Sequence, residues 1–218
     1  MDPSYILTLS KAISDGLGVT CGLFAITLAA SLPLGLLISF MRVSRFSALR
    51  AISGFYVWLL RGTPLMLQLF FFYFGLPFLP FIGQYLILDR FPAACVAFIL
   101  NYAAYFAEIF RGGTLSIDKG QYEAARVLGY SNFETKMKIV VPQMLRVCLP
   151  PVSNEAITLV KDTALVTAIG VMDMLYFAQK AVNRDVNPTA FLVVAVFYLV
   201  MTFIVTKVFR YLEKKCAF

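Results

Sequence analysis

Glu155 and Asp162 stand seven residues apart in an otherwise largely apolar stretch, with Thr158 between them. On an α-helix the spacing i, i+3, i+7 places all three on one stripe, the acids two turns apart. A second stripe combines Asn101, Tyr105 and Glu108 at i, i+4 and i+7. Two carboxylates aimed the same way suit an ammonium or guanidinium group, and the amide and phenol can add hydrogen bonds. The competing reading is structural. In it, Lys161 pairs with Glu108 or Asp162, and Asn101 bonds a neighbouring helix, since polar side chains also hold apolar helices together. Lys161 sits about 100° round the helix from Asp162 and cannot share its stripe. Arg61, just ahead of Thr63-Pro64, is expected to anchor a helix end rather than touch a ligand.

Little else in the chain could carry chemistry. There is no His among the 218 residues, and Cys21, Cys95, Cys148 and Cys216 are scattered without a C-x-x-C pair. A metal site is therefore not expected, and the cysteines are expected to be free thiols. No G-x-x-x-x-G-K-[ST] loop is present to cradle nucleotide phosphates. An intramembrane enzyme lacks its commonest base without His, so no catalytic residue is assigned.

The elements that must position the two stripes are membrane spans. The chain is 60% hydrophobic, holds 21 Phe, has only 14% charged residues and a mean hydropathy of +0.80. A helix crossing about 30 Å of hydrocarbon needs about 20 apolar residues. Five stretches qualify or nearly so, at 17–40, 55–80, 91–116, 143–171 and 189–209. Most Lys and Arg gather on one set of connections, from Arg42, Arg45 and Arg50 through the 118–142 loop to the C-terminus. Lys11, Arg90, Lys180 and Arg184 fall on the other. Basic residues favour the cytoplasmic side, which predicts the N-terminus outside, the C-terminus inside and the 118–142 loop in the cytoplasm. This asymmetry accounts for the net charge of +7 without nucleic acid. The first sixteen residues lack the basic start of a cleaved signal and are read as retained.

Within the spans, Pro150-Pro151 predicts a break, with the helix resuming near 152. Such breaks survive beside protein or a cavity. Gly18-x-x-x-Gly22 has the small-residue spacing of close helix packing. The outer loops, 77–90 and 173–188, are too short for a domain, and the second is expected to be an amphipathic turn at the surface.

The 118–142 loop reads as two short helices. Glu123 to Leu128 are mostly helix formers, and Gly129 suits a left-handed cap. Ser131 and Glu134 have the spacing of a capping box, and Pro142 ends the run. Ala124 and Ala125 beside Glu123 permit a backbone to press closely against a partner.

The run Glu123-Ala124-Ala125, three residues, Gly129, nine residues, Ile139, one residue, Val141-Pro142 resembles the EAA signature of bacterial ABC-importer membrane subunits. Only the usual Leu before Pro is replaced, by Val141. The segments "RGTPLMLQLFFFYFGLP", "AYFAEIFRGGTLSIDKGQYEAARVLGYS" and "LVKDTALVTAIG" are similar to the polar amino acid permease family in that group. The resemblance implies that the loop carries a coupling helix, in which Glu123, Ala124, Ala125 and Gly129 dock into a cleft on a separate ATPase that binds ATP and Mg. It further implies a second permease subunit, identical or homologous, and an extracytoplasmic amino acid-binding protein. Asp162 falls in the family's recurrent Lys-Asp-Thr run, which adds a shared structural or gating role to its candidacy.

The expectation is an all-α polytopic membrane protein, a single transmembrane domain over 1–218 with five spans and a cytoplasmic coupling helix. It is read as the permease subunit of an ATP-driven importer in the bacterial inner membrane, passing a polar and cationic amino acid. The substrate contacts are Glu155, Asp162, Asn101, Tyr105 and Thr158. The alternative is an ion-coupled secondary transporter with the acidic stripe as its proton or sodium site. That design needs matching interrupted helices in two halves, whereas one break is visible and five spans do not divide evenly.

Overall fold

The computed structural model describes residues 3–216, and among them all regular structure is helical. After α1 (Pro3–Ser14) come α2 (Leu17–Arg42), α3 (Ser47–Gly62) and α4 (Leu65–Phe70), the last continuing through a π-helical turn and a 3₁₀ turn to Phe78. α5 (Arg90–Leu115) leads to the loop helices α6 (Lys119–Val127) and α7 (Asn132–Glu134). A π-helical turn, Thr135–Val140, runs into α8 (Val141–Asp162) and the 3₁₀ segment Thr163–Ile169, followed by α9 (Met174–Asp185) and α10 (Thr189–Cys216).

Three helices, α2, α5 and α10, are long and apolar enough to cross a membrane by themselves, and the total reaches five if each of two bent pairs forms one span. The bends were not expected where they fall. The stretch taken as one span over 55–80 turns by 104° between α3 and the helical run from Leu65 to Phe78. α3 is thus a helix in its own right, and only the part after Pro64 continues beside the N-terminal half of α5.

The break expected at Pro150-Pro151 is absent, and α8 runs through both prolines. Met144, Cys148, Val152, Ala156 and Leu159 are all buried. Their spacing keeps one apolar stripe in phase across the pair, and neighbouring helices can hold a proline-containing span straight at the cost of two intrahelical bonds. The helix instead tightens at Thr163 and stops at Gly170, whose φ of +74° is left-handed. Beyond it, Asp173 is fully buried and caps α9, accepting from the amides of Leu175 at 3.2 Å and Tyr176 at 2.9 Å.

The core forms where α2 and α5 lie together. Thr27, Ser31, Gly35 and Ser39 recur every four residues on α2, and all four are buried. A Cβ at Gly35 would lie 2.7 Å from Phe106 Cβ and 3.0 Å from the Ala103 carbonyl, so only glycine lets the backbones approach this closely. Gly18 and Gly22, expected to make such a seam, do not, because the nearest atom to a Cβ on Gly22 is 4.0 Å away and Gly18 has none within 4 Å. The 173–188 stretch is not a surface turn either. α9 buries Met174, Ala178 and Ala181 against Leu9 and Ile13 of α1 in a second small core. Cys21, Cys95 and Cys148 are free thiols, and the side chain of Cys216 lies outside the described residues.

Candidate functional site

The bend between α3 and α4 begins with a missing donor. Pro64 has no N–H to give to the carbonyl of Leu60 four residues earlier, so that oxygen is orphaned inside the bundle. Two buried amides replace the bond: Gln68 Nε2 donates to it at 2.8 Å and Asn101 Nδ2 at 3.1 Å. Asn101 also donates to Gln68 Oε1 at 3.1 Å, while Gln68 reaches the Thr63 hydroxyl at 2.8 Å. These bonds fix the corner against the middle of α5. Tyr56 adds a bond from α3 to the Leu100 carbonyl at 2.7 Å.

The corner forms one wall of a cavity of about 530 Å³, with α5 and α8 as the others. All five side chains singled out as ligand contacts line it: Asn101 and Tyr105 from α5, and Glu155, Thr158 and Asp162 from α8. The helical stripes therefore meet across one space.

The individual side chains are held differently. Asp162 accepts a hydrogen bond from the hydroxyl of Tyr102 at 2.7 Å. Thr158 bonds back to the Asn154 carbonyl at 3.1 Å. Glu155 is half-buried, and neither it nor Asp162 forms an ion pair among the described residues. Lys161 is exposed and pairs with neither Glu108 nor Asp162. Glu108 instead binds Arg111 Nε at 2.9 Å and Arg111 Nη2, with Arg42 Nη2 at 3.6 Å. Glu108 thus leaves the stripe it shares in sequence with Asn101 and Tyr105 and serves the end of α5.

Asn101 bonds the neighbouring helical segments, as the structural reading of its role expects. Its two amide hydrogens are engaged with Leu60 and Gln68, which leaves its carbonyl oxygen as the group able to meet a ligand. An acceptor suits a cation.

Two cavity residues escaped the sequence reading. Tyr102, almost fully buried, positions Asp162. Arg61 ends α3 as expected, but it also stands in the cavity wall, its guanidinium carbon 5.1 Å from the centroid of the Tyr105 ring. The signal for Arg61 lay in Pro64. A proline that orphans a carbonyl in an apolar setting marks a corner, and whatever precedes it is turned toward the partner that repairs the bond.

The first loop helix forms as expected, with Asp118 capping α6, and Ser131 and Glu134 make the capping box. The second helix does not end at Pro142, however: it runs on through Thr135–Val140 into α8, because proline is tolerated in the first turn of a helix. Gly129 has φ +78° and closes α6 in the left-handed region. One expected docking residue is corrected. Ala125 is 1% exposed, packed inward on its own chain, while Glu123, Ala124 and Gly129 are exposed. The outward face carries Val127 and Leu128, 88% and 73% exposed, in its place.

Residues 31–217 match the family described as "Binding-protein-dependent transport system inner membrane component". The chain belongs to that family. Among curated relatives, the octopine transport system permease protein of Rhizobium radiobacter is 37% identical over 97% of this chain and 89% of its own length. The arginine transport system permease protein of Bacillus subtilis is 39% identical over 99% and 97%. The glutamine transport system permease protein of Escherichia coli is 36% identical over 98% and 97%. A solved structure of an amino acid ABC transporter with histidines superposes with a TM-score of 0.87 at 28% identity, covering 99% of both chains. Structures of a methionine ABC transporter share the fold, with a TM-score of 0.73 at 20% identity over the whole of both chains. The protein is accordingly an all-α, multi-pass permease subunit of an amino acid ABC importer, a transport component rather than an enzyme. The ion-coupled secondary transporter is set aside by this membership.

Proposed function

We propose that the cavity between the α3–α4 corner, α5 and α8 is the transport site for a cationic amino acid such as arginine or lysine. The observation that carries this reading is the charge balance of the lining. Two carboxylates without ion pairs, Glu155 and Asp162, face one guanidinium, Arg61. The lining is thus one negative charge in excess, and an amino acid with two positive groups and one carboxylate complements it. Arg61 takes the α-carboxylate, while Glu155 and Asp162 take the ammonium and the side-chain cation. The Asn101 carbonyl, Tyr105 hydroxyl and Thr158 hydroxyl complete the donors and acceptors. A cavity of about 530 Å³ is of the size that small-molecule sites use. The relative named for arginine supports the charge assignment, and the relative named for glutamine marks the neutral alternative.

Alternating access is driven from outside the chain. The coupling helix α6 presents Glu123, Ala124 and Gly129, with Val127 and Leu128, to cytoplasmic ATP-binding subunits that bind ATP and Mg; Ala125 ties α6 to its own chain. A second permease subunit completes the path, and an extracytoplasmic binding protein delivers the solute. The N-terminus lies outside and the C-terminus in the cytoplasm of the bacterial inner membrane, a reading supported by the concentration of basic residues on one set of loops.

The test is uptake by the reconstituted transporter with Glu155→Gln against a panel of arginine, lysine, histidine and glutamine. Loss of one site charge should cut the preference for arginine over glutamine at least about tenfold, equivalent to about 1.4 kcal/mol. Unchanged selectivity would remove the charge argument and leave a neutral amino acid as the substrate.

A further inference from the structure

A second cavity, of about 540 Å³, lies at the end of the bundle that carries α6, between the segment leaving α2, α6 itself and the turn after it. Each wall contributes one cation: Arg45 from the first, Arg126 from α6 and Lys136 from the third. No carboxylate lines this space, and none of the three forms an ion pair among the described residues. Neighbouring cations are treated otherwise. Arg42 faces Glu108, Arg50 donates to the Ser44 carbonyl at 3.0 Å, and Lys138 holds Glu134 at 3.0 Å. Glu134 is the nearest acid along the chain to Lys136, but its second oxygen is also taken, by the Ser131 amide and hydroxyl. Three like charges around one space repel unless an anion sits among them.

The rest of the lining identifies the anion. Ser44, Tyr122 and Asn132 supply hydroxyl and amide donors of the kind that bind phosphate oxygens. Phe40 and Val43 form an apolar side where α2, itself long enough to cross a membrane, ends. Phe46 stands at the rim, 71% exposed. Phosphate chemistry accounts for the cations, and the apolar side accounts for a chain attached to it. Basic pockets between membrane helices on the cytoplasmic side bind anionic lipid headgroups by the same physics.

We propose that this cavity binds the phosphate of an anionic phospholipid, with Arg45, Arg126 and Lys136 around the headgroup and the acyl chains leaving past Phe40 and Phe46. The bound lipid bridges the end of α2 to α6, so the coupling helix is braced against the bundle by the membrane itself. This site is separate from the transport cavity and does not depend on which amino acid is carried.

The test uses the full-length chain in neutral detergent, titrated with short-chain phosphatidylglycerol, short-chain phosphatidylcholine or inorganic phosphate and read by native mass spectrometry. Phosphatidylglycerol should form a one-to-one adduct, bound at least tenfold more tightly than either other probe. The triple variant R45Q/R126Q/K136Q should weaken that adduct at least tenfold. Two further variants separate binding from folding and from bulk charge. R45K/R126K/K136R keeps the charges and should retain the adduct, as should K207Q/K214Q/K215Q, which removes three charges elsewhere. Equal binding of phosphatidylglycerol to the neutralised pocket would overturn the proposal. So would its loss in the distant variant. Inorganic phosphate binding as tightly as the lipid would overturn the lipid assignment and leave a free-anion site.

Discussion

Glu108 and Glu155 lie on adjacent helices, α5 and α8, and both are half-buried, yet their surroundings are opposite. Glu108 is bound by Arg111 from its own helix and approached by Arg42 from the end of α2. It ties α2 to α5 below the seam at Gly35. Glu155 has no cation within ion-pair distance and opens onto the cavity proposed as the transport site. Burying a carboxylate without a partner costs free energy that packing must offset. A fold that retains such a group, while pairing its neighbour, has left the partner to come from outside. Places where local rules are broken without a visible gain in stability are where function is to be sought.

The sharpest way to break this comparison is to neutralise each acid in turn and measure thermal unfolding of the purified subunit. Glu108→Gln leaves two guanidiniums facing an amide and should cost about 1–3 kcal/mol, below the cost at a fully buried pair because the site is half-open. Glu155→Gln removes an uncompensated charge and should leave stability unchanged or slightly raised. Equal losses for the two variants would mean that Glu155 is structural after all, and the transport assignment of the stripe would lose its footing.

Asn101 sharpens the same contrast, because it stands in the cavity but works mainly for the fold. Asn101→Ala removes a donor from the Leu60 carbonyl and from Gln68 Oε1. With Gln68 still donating to Leu60, the expected loss is about 1–2 kcal/mol. Thr158→Val, a lining residue that bonds only within its own helix, should stay within about 0.5 kcal/mol. If Asn101→Ala melts like wild type, the corner is held without Asn101, by Gln68, Tyr56 and packing.

The pattern of what could be read beforehand follows from the physics. A helical period fixes which side chains share a stripe, so Glu155, Thr158 and Asp162 could be grouped from spacing, as could Asn101 and Tyr105. The facing of the two stripes depends on tertiary packing, which no period encodes. Arg61 is legible as a helix end, but not as a cavity residue, because the 104° turn that follows it is set by tertiary repair of one orphaned carbonyl. Pro150-Pro151 misled in the opposite direction, since a continuous buried stripe outweighed two lost bonds. Ala125 was assigned to a partner because small residues permit close approach, but the approach is to its own chain. Likewise the tight α2–α5 seam lies at Gly35, where Phe106 presses in, and not at Gly18 and Gly22, which have the spacing without a close neighbour.

Glu134, at the end of α7 and outside the stretch 143–171 expected to span, supplies a third case and the smallest expected effect. It is paired like Glu108 but stands in solvent-exposed surroundings, bonded to Lys138 at 3.0 Å and to the Ser131 amide at 3.1 Å. The Lys138 ammonium, followed by the Ser131 backbone and hydroxyl, holds its carboxyl down to about 2 from an ordinary value of 4.5. A lowered carboxylate value means that the unfolded turn binds the proton more tightly than the folded one. The cap's contribution is therefore complete above about pH 5, shrinks as pH falls below the ordinary glutamate value, and is lost as pH passes through about 2. Amide hydrogen exchange over residues 131–138, corrected for its intrinsic pH dependence, should show constant protection from pH 8 to pH 5 and declining protection on further acidification. Glu134→Gln should give a flat profile at the lower level. Parallel profiles for the two proteins would show that the capping box contributes nothing measurable. The contrast between paired and unpaired acids would then hold only inside the bundle, where low polarity magnifies each missing or added charge.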